Sequence, residues 1–386
     1  MSVNSNKRQS FINEDSLPGI LLLVATIIAL IFANTPLRDF YNKVIFEIGF
    51  GEEFNLHFLI NDFLMAIFFL VVGFEIKREL LYGKLSSIKQ ASFPIIAAIG
   101  GMAVPALIFI IFNFNTKLEI GVGIPLSTDI AFAIGVFSVL KGKLNKSLEI
   151  FLLTLAVVDD LLSIVIIGIF YSSGIRITGI IIALIIIAAL LLVKKIEKAN
   201  RISIYLILGF FLWCAIFYSG IHATLSGVIL AFCMPIFDEK GKDKDLSLKL
   251  QHKLEGVTNY VILPLFAFAN TGINLSGSLD LSKDYTLMLG IILGLAIGKP
   301  LGIMSFGFIG EKLKISKKVN GASWFQVFIV SVIAGIGFTM SLFISEIAFK
   351  GENIEINVAK ISILIAAVIS TAMAVILISF RKKSED

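Results

Sequence analysis

The stretch GVGIPLSTDIAF, residues 121–132, sets Gly121, Gly123 and Pro125 directly ahead of Ser127, Thr128 and Asp129 inside an apolar run. Proline removes a backbone donor and clashes with the preceding turn, and glycine weakens a helix interior. In lipid such an interruption is tolerated only where it is buried in protein or lines a cavity. The run therefore reads as an interrupted spanning helix. A second run, AGIGFTMSLF at 334–343, repeats the pattern with Gly335, Gly337 and Thr339. The two align as Gly123-Ile-Pro-Leu-Ser-Thr-Asp129 against Gly335-Ile-Gly-Phe-Thr-Met-Ser341. The runs before them align at Val104-Pro105 and Lys299-Pro300. Paired interruptions in oppositely oriented halves point to a transporter built from an inverted repeat, with its site at the breaks. If the broken helices cross, half-helix ends carrying about ±0.5 charge meet in mid-membrane. Asp129 then balances positive N-termini and Lys299 negative C-termini.

Working outward, the whole chain fits a membrane. Its 386 residues are 57% hydrophobic and 16% charged, with a mean hydropathy of +0.94. Soluble domains are roughly 45–50% apolar and 25% charged. This excludes a soluble enzyme, a disordered chain and a disulfide-stapled secreted domain. Cys214 and Cys233 sit in apolar runs and read as buried free thiols. A spanning helix needs about 20 mostly apolar residues, and twelve candidate runs appear. They centre on Leu17–Ala33, Phe58–Phe74, Phe93–Phe114, Gly121–Leu140, Leu148–Tyr171 and Ile177–Val193. The others are Ile202–Tyr218, His222–Phe237, Val257–Ile273, Tyr285–Ile309, Trp324–Ile344 and Ile361–Phe380. Residues 1–386 are thus expected to form one polytopic, all-α membrane domain.

The basic residues orient it. With residues 1–16 in the cytoplasm, the inner segments hold 25 Lys and Arg and the outer connections only 6. That is the positive-inside pattern. The loop at 238–256 and the C-terminus at 381–386 then also lie in the cytoplasm. The basic runs are orientation signals, not nucleic-acid patches. Lys7 and Arg8 precede the first run with no cleavage site, so no removable signal is expected. In the first outer connection, Val44 to Phe58 alternates apolar and polar residues about Gly51-Glu52, which reads as a small β-hairpin.

Four charges fall well inside spans: Asp129, Asp159, Asp160 and Lys299. At 1.5 Å per residue, Asp129 lies ~12 Å, Asp159 ~17 Å and Lys299 ~21 Å from the start of its run. In a hydrocarbon core of about 30 Å all are near the middle third. Each costs roughly 2.5–3.5 kcal/mol, and such groups mark ion or proton pathways. Burial and a neighbouring like charge both bring carboxylates toward proton exchange at physiological pH. Deprotonated, an adjacent pair offers hard oxygens to a small cation. Protons and a cation then compete for the same atoms.

At these residues the chain resembles the NhaA-type bacterial sodium/proton antiporters. The matching stretches are INDFLMAIFFLVVGFEIKREL, PLSTDIAFAIGVFS, LTLAVVDDLLSIVIIGIFY, SGIHATLSGV, LPLFAFANTGI, GKPLGI and GIGFTMSLFI. The resemblance implies twelve helices, with helices 4 and 11 broken at Pro125 and at Gly335 and Gly337 and crossed. It implies export of one Na+ or Li+ for two protons, without a cofactor, in the inner membrane. It implies ion binding by Asp159 and Asp160 with Thr128 nearby, dipole compensation by Asp129 and Lys299, and a pairing of Lys299 with Asp159, with Lys299 a possible proton carrier. Members with paired Asp are electrogenic, and this chain has Asp-Asp. The Val44–Phe58 hairpin resembles the family's dimerising element. Glu75, Arg78, Glu79, His252 and Glu255 stand at the mouth where the family responds to pH. Two departures occur there: Gln251 where members often carry Glu, and Glu255 where they often carry His. His222 matches a family position but is assigned no transport role.

Two other readings compete. An intramembrane aspartyl protease needs its aspartates on facing helices, whereas here they are neighbours, and GIGF lacks the aspartate of a GxGD motif. A sodium-coupled organic-solute transporter needs a larger polar cavity than the small and hydroxyl groups at mid-membrane suggest.

Overall fold

The computed structural model of the protein describes residues 16–50, 54–140, 144–172, 174–196, 201–236, 246–275 and 285–380. The expectations for 1–15, 238–245 and 381–386 lie outside them. Helix dominates because only helices and closed barrels satisfy every backbone group in lipid. Among the described residues six helices are long and apolar enough to span: Leu56–Leu81, Ile88–Asn113, Lys146–Phe170, Ile202–Ser219, Tyr285–Lys312 and Asn353–Ser379. Three bent pairs raise the number to nine. Leu17–Ala33 bends by 118° into Arg38–Glu47. The first broken span, Lys117–Leu126 and Ile130–Leu140, bends by 42°, and the second, Trp324–Ala334 and Phe338–Ala348, by 43°.

Several of the twelve expected runs are shorter or differently divided. Ile177–Val193, by contrast, is helical over the whole of its expected run of 17 residues, apolar but for Thr178. The run at His222–Phe237 is helical only over Leu225–Cys233. Gly220, with a left-handed φ of 82°, stops the previous helix and leaves His222 in a turn. The run at Val257–Ile273 passes through a wide turn at Thr258–Ile262 into Leu263–Asn270. Pro264, which has no N–H to donate, stands at the start of that last helix. The alternation at Val44–Phe58 yields less strand than expected. Among the described residues only Gly49–Phe50 pairs antiparallel with Phe54–Asn55, while Lys43–Glu47 and Leu56–Phe58 are helical, and the expected turn at Gly51-Glu52 lies outside the described residues. Asn55 ends the ladder because its side chain accepts from the Phe58 amide and caps the next helix.

Two packing features position the site. Gly100 and Gly302 bring Ile88–Asn113 and Lys299–Lys312 into backbone contact, since a Cβ on Gly302 would lie 2.0 Å from the Gly100 oxygen. Small residues at such contacts let membrane helices approach closely, and this one fixes the turn that carries Lys299. At the other face of the protein, Lys77 donates to the Ala231, Phe232 and Met234 carbonyls at 3.2, 2.7 and 2.5 Å. A lysine ammonium there neutralises the negative end of Leu225–Cys233.

Candidate functional site

The Lys146–Phe170 helix starts from Asn145, whose side chain accepts from the Ser147 amide at 2.9 Å. Its apolar run leaves Asp159 and Asp160 side by side, 0% and 1% exposed. Each carboxylate meets a different environment. Asp159 Oδ2 lies 2.7 Å from Lys299 Nζ and accepts from the Thr128 hydroxyl at 2.8 Å. The same hydroxyl is 2.8 Å from the Ala334 carbonyl, so its one proton is shared between the Asp159 carboxylate and the end of the first half of the second broken span. Lys299 Nζ also donates to the Leu126 carbonyl, the last of the Lys117–Leu126 segment. One ammonium therefore serves both a carboxylate and the negative end of a half-helix.

Asp160 has neither aid. Both its oxygens, and Asp159 Oδ1, are buried without a hydrogen-bond partner. A buried acceptor without a donor is costly, so these three oxygens mark a place built for something other than packing. Asp160 lines a cavity of about 470 Å³ together with Glu75, Asp129, His252, Glu255 and Thr339.

Asp129 binds the two breaks together. Its Oδ1 accepts from the Phe132 amide at 2.9 Å, within its own half-helix. Its Oδ2 accepts from the amide and hydroxyl of Thr339, at 2.9 and 2.5 Å, at the head of Phe338–Ala348. The Asp129 amide donates to the Ile336 carbonyl at 2.8 Å. Ser341 donates to the Ile124 carbonyl at 2.7 Å across the same gap. One carboxylate thus caps two helix N-termini, where anions are favoured. Pro125 and Gly335 sit at the interruptions as expected from their chemistry, and Gly337 allows close approach: a Cβ there would lie 2.2 Å from Ser341 Oγ.

The mouth residues divide. Glu75, His252 and Glu255 share the cavity with Asp160. Arg78 instead donates from Nε to Gln251 Oε1 at 2.8 Å, joining Leu56–Leu81 to Leu246–Val257. Glu79 lines a separate cavity of about 460 Å³ and accepts from the Lys84 amide at 2.7 Å. His222 lies apart, in an outer cavity with Asp62, Glu346 and Lys350. Sequence reasoning missed the ion pair of Lys360 with Glu346, 2.5 Å apart and buried between the last two spans. Both charges lie about a turn or two from helix ends, and nothing in the linear pattern sets such a pair apart from interfacial anchors.

The arrangement can hold a small cation on carboxylate oxygens, or protons on the same oxygens, with a lysine beside them. Comparison with known proteins agrees with that chemistry. A model of the family described as Na+/H+ antiporter 1 matches residues 9–378. The chain is 42% identical over 376 residues to the Na(+)/H(+) antiporter NhaA 2 of Shewanella denitrificans, covering 95% of this chain and 94% of that one. It is 42% identical over 407 residues to the Na(+)/H(+) antiporter NhaA of Helicobacter pylori, covering 94% and 92%. It is 41% identical over 392 residues to the Na(+)/H(+) antiporter NhaA 2 of Aliarcobacter butzleri, covering 98% of each.

Proposed function

Because the chain belongs to the Na+/H+ antiporter 1 family, we propose that it exports Na+, and Li+ in its place, across a bacterial inner membrane in exchange for protons. The observation that carries this reading is the set of three buried carboxylate oxygens without donors, one on Asp159 and two on Asp160. Hard oxygens suit a hard cation, and the same oxygens take protons. The reading assigns ion binding to Asp159 and Asp160 with the Thr128 hydroxyl beside them. Asp129 and Lys299 hold the half-helix ends, and Lys299 gives up its bond to Asp159 when sodium arrives.

Exchange on such a site is competition followed by movement. From the cytoplasm, sodium reaches Asp160 through the cavity carrying Glu75, His252 and Glu255. It displaces two protons, drawn from the carboxylate pair and its lysine. The broken spans then shift about their joined interruptions and open the site to the other face. Protons reload it there and sodium leaves. The reading places twelve spans in an inverted repeat with crossed breaks, and both termini in the cytoplasm, as the basic inner segments support. It places a homodimer contact at Val44–Phe58 and a pH response at Glu75, Arg78, Glu79, His252 and Glu255.

The test is reconstitution in vesicles carrying a proton gradient. Added sodium is expected to collapse the gradient with wild type and not with Asp160→Asn. A gradient indifferent to sodium, or one that responds only with an organic solute present, would overturn the reading.

A further inference from the structure

The face opposite the Arg78–Gln251 mouth carries a second polar cluster with no part in the exchange so far described. His57 Nε2 lies 3.1 Å from Asn61 Nδ2, one turn along its own helix, and 3.3 Å from Asn270 Oδ1. Asn61 and Asn270 form a reciprocal amide pair at 2.8 and 3.1 Å. On its other side the same Nε2 is 3.8 Å from Glu346 Oε2. Glu346 Oε1 is held by Lys360 at 2.5 Å. One imidazole therefore stands where four elements meet: Leu56–Leu81, Leu263–Asn270, the outer half of the second broken span, and Asn353–Ser379. It also forms a wall shared by two outer cavities of about 460 and 580 Å³.

The hydrogen-bond count gives this junction two states. Asn61 Nδ2 can only donate, so His57 accepts from it in the neutral tautomer whose proton sits on Nδ1 and whose Nε2 is bare. A protonated Nε2 can only donate. It must release Asn61 and turn to Asn270 Oδ1 or to Glu346 Oε2, and the carboxylate is the stronger acceptor for a cation. One of the elements, Phe338–Ala348, is part of a broken span that the exchange cycle has to move. Leu56–Leu81 carries Glu75 and Arg78 at its other end, and Phe338–Ala348 begins at the Asp129 cap.

We propose that His57 is a positioning residue and Glu346 its latch: protonation of His57 from the outer face clamps the outer half of the second broken span to Leu56–Leu81 and slows exchange. This rests on the antiport reading above. The other charged and titratable groups facing the junction are Asp62, His222, Arg38 and Lys350 across the two cavities, and Lys360 on the carboxylate itself.

The experiment varies outer-face pH between about 4 and 8, extending below the range in which a free histidine changes charge, with inner pH and sodium fixed, in vesicles of one orientation. Wild type is expected to slow severalfold as the outer face becomes acid. His57→Gln and Glu346→Gln should each lose that slowing while exchanging normally at outer pH 8, and His57→Lys should be slow throughout. A second measurement does not need transport. Deuterium uptake at 338–348 in purified wild type, corrected for intrinsic exchange, should fall severalfold at about pH 4 relative to about pH 8. Equal uptake at the two pH values overturns the latch whether or not the protein exchanges ions. So does an outer-pH profile of His57→Gln that superimposes on wild type. Absence of any sodium-dependent proton movement in wild type, with uptake still pH-dependent, overturns the antiport reading and leaves the latch standing.

Discussion

At the scale of single residues, the site is divided between a carboxylate that is paired and one that is not. Asp159 has Lys299 and Thr128, whereas Asp160 has no donor among the described residues. Removing one partner of a buried pair leaves an uncompensated charge and costs roughly 3–5 kcal/mol. Lys299→Ala should therefore lower the thermal midpoint in detergent clearly, and Asp159→Asn in the same chain should restore part of the loss. Additive losses in the double variant would count against a coupled pair. Asp160→Asn should behave in the opposite sense. It exchanges an unpartnered carboxylate for a neutral amide, so the midpoint should hold or rise while exchange falls at least about a hundredfold, a stability–activity trade. A fall in stability parallel to activity would show that Asp160 is structural. Asp159, Asp160, Asp129 and Lys299 were legible in the sequence because a charge inside an apolar run has few explanations. The resemblance implied the pairing of Lys299 with Asp159, but the residue pattern alone does not give it, since which carboxylate meets the lysine depends on how three separate elements converge. The same holds for Glu346, Lys360 and His57: each alone reads as a helix-end residue, and only packing joins them.

At the scale of elements, the interruptions were readable from glycine and proline, but the caps that make them tolerable were not. Asp129 satisfies amides of two half-helices, one of them 210 residues away in the chain. No local capping pattern announces a bond across that separation. Loss of a helix cap costs about 0.5–2 kcal/mol, so Asp129→Ala, which removes two, should destabilise by roughly 1–4 kcal/mol. Asp129→Asn retains an acceptor and should lose less. Chemical denaturation of the two variants, read by loss of helical signal, orders them. Asp129→Asn falling as far as Asp129→Ala would place the whole effect in the charge rather than in the hydrogen bonds. The outer connection shows the reverse lesson. Period-two alternation from Val44 to Phe58 suggested a hairpin, yet helix takes both flanks and leaves two residue pairs of ladder. A two-stranded ribbon is marginal by itself, and the flanking segments gain more by extending neighbouring helices.

At the scale of the whole molecule, hydropathy gave the class and the charge asymmetry gave an orientation. Its twelve apolar runs stand beside six to nine helices long and apolar enough to span among the described residues, because short helices such as Leu225–Cys233 fall below the length a span needs while still filling the interior. The chain's most global property follows from the site's charge balance. A sodium ion brings one positive charge to the carboxylate pair and its lysine. If two protons leave in exchange, each cycle carries one net positive charge in the direction the protons move. An inside-negative potential then contributes about 2.3 kcal/mol per 100 mV to sodium export. Vesicles with equal pH on both sides and a potassium-diffusion potential should therefore move sodium, and reversing the potential should reverse the flux. Strict one-for-one exchange is blind to the potential and would leave both fluxes at background. Proton competition sets the accompanying pH dependence. In acid the proton-loaded carboxylates exclude sodium, so half-saturating sodium should fall steeply as pH rises, with apparent values belonging to the coupled group. Gln251 can only receive the Arg78 bond and cannot titrate. Gln251→Glu turns that bond into an ion pair at the mouth and adds an acid, so its pH profile at limiting sodium should become steeper than wild type. At saturating sodium the two should converge, because there the carboxylate pair alone governs turnover. Profiles that coincide at limiting sodium as well would confine the entire pH response to Asp159 and Asp160.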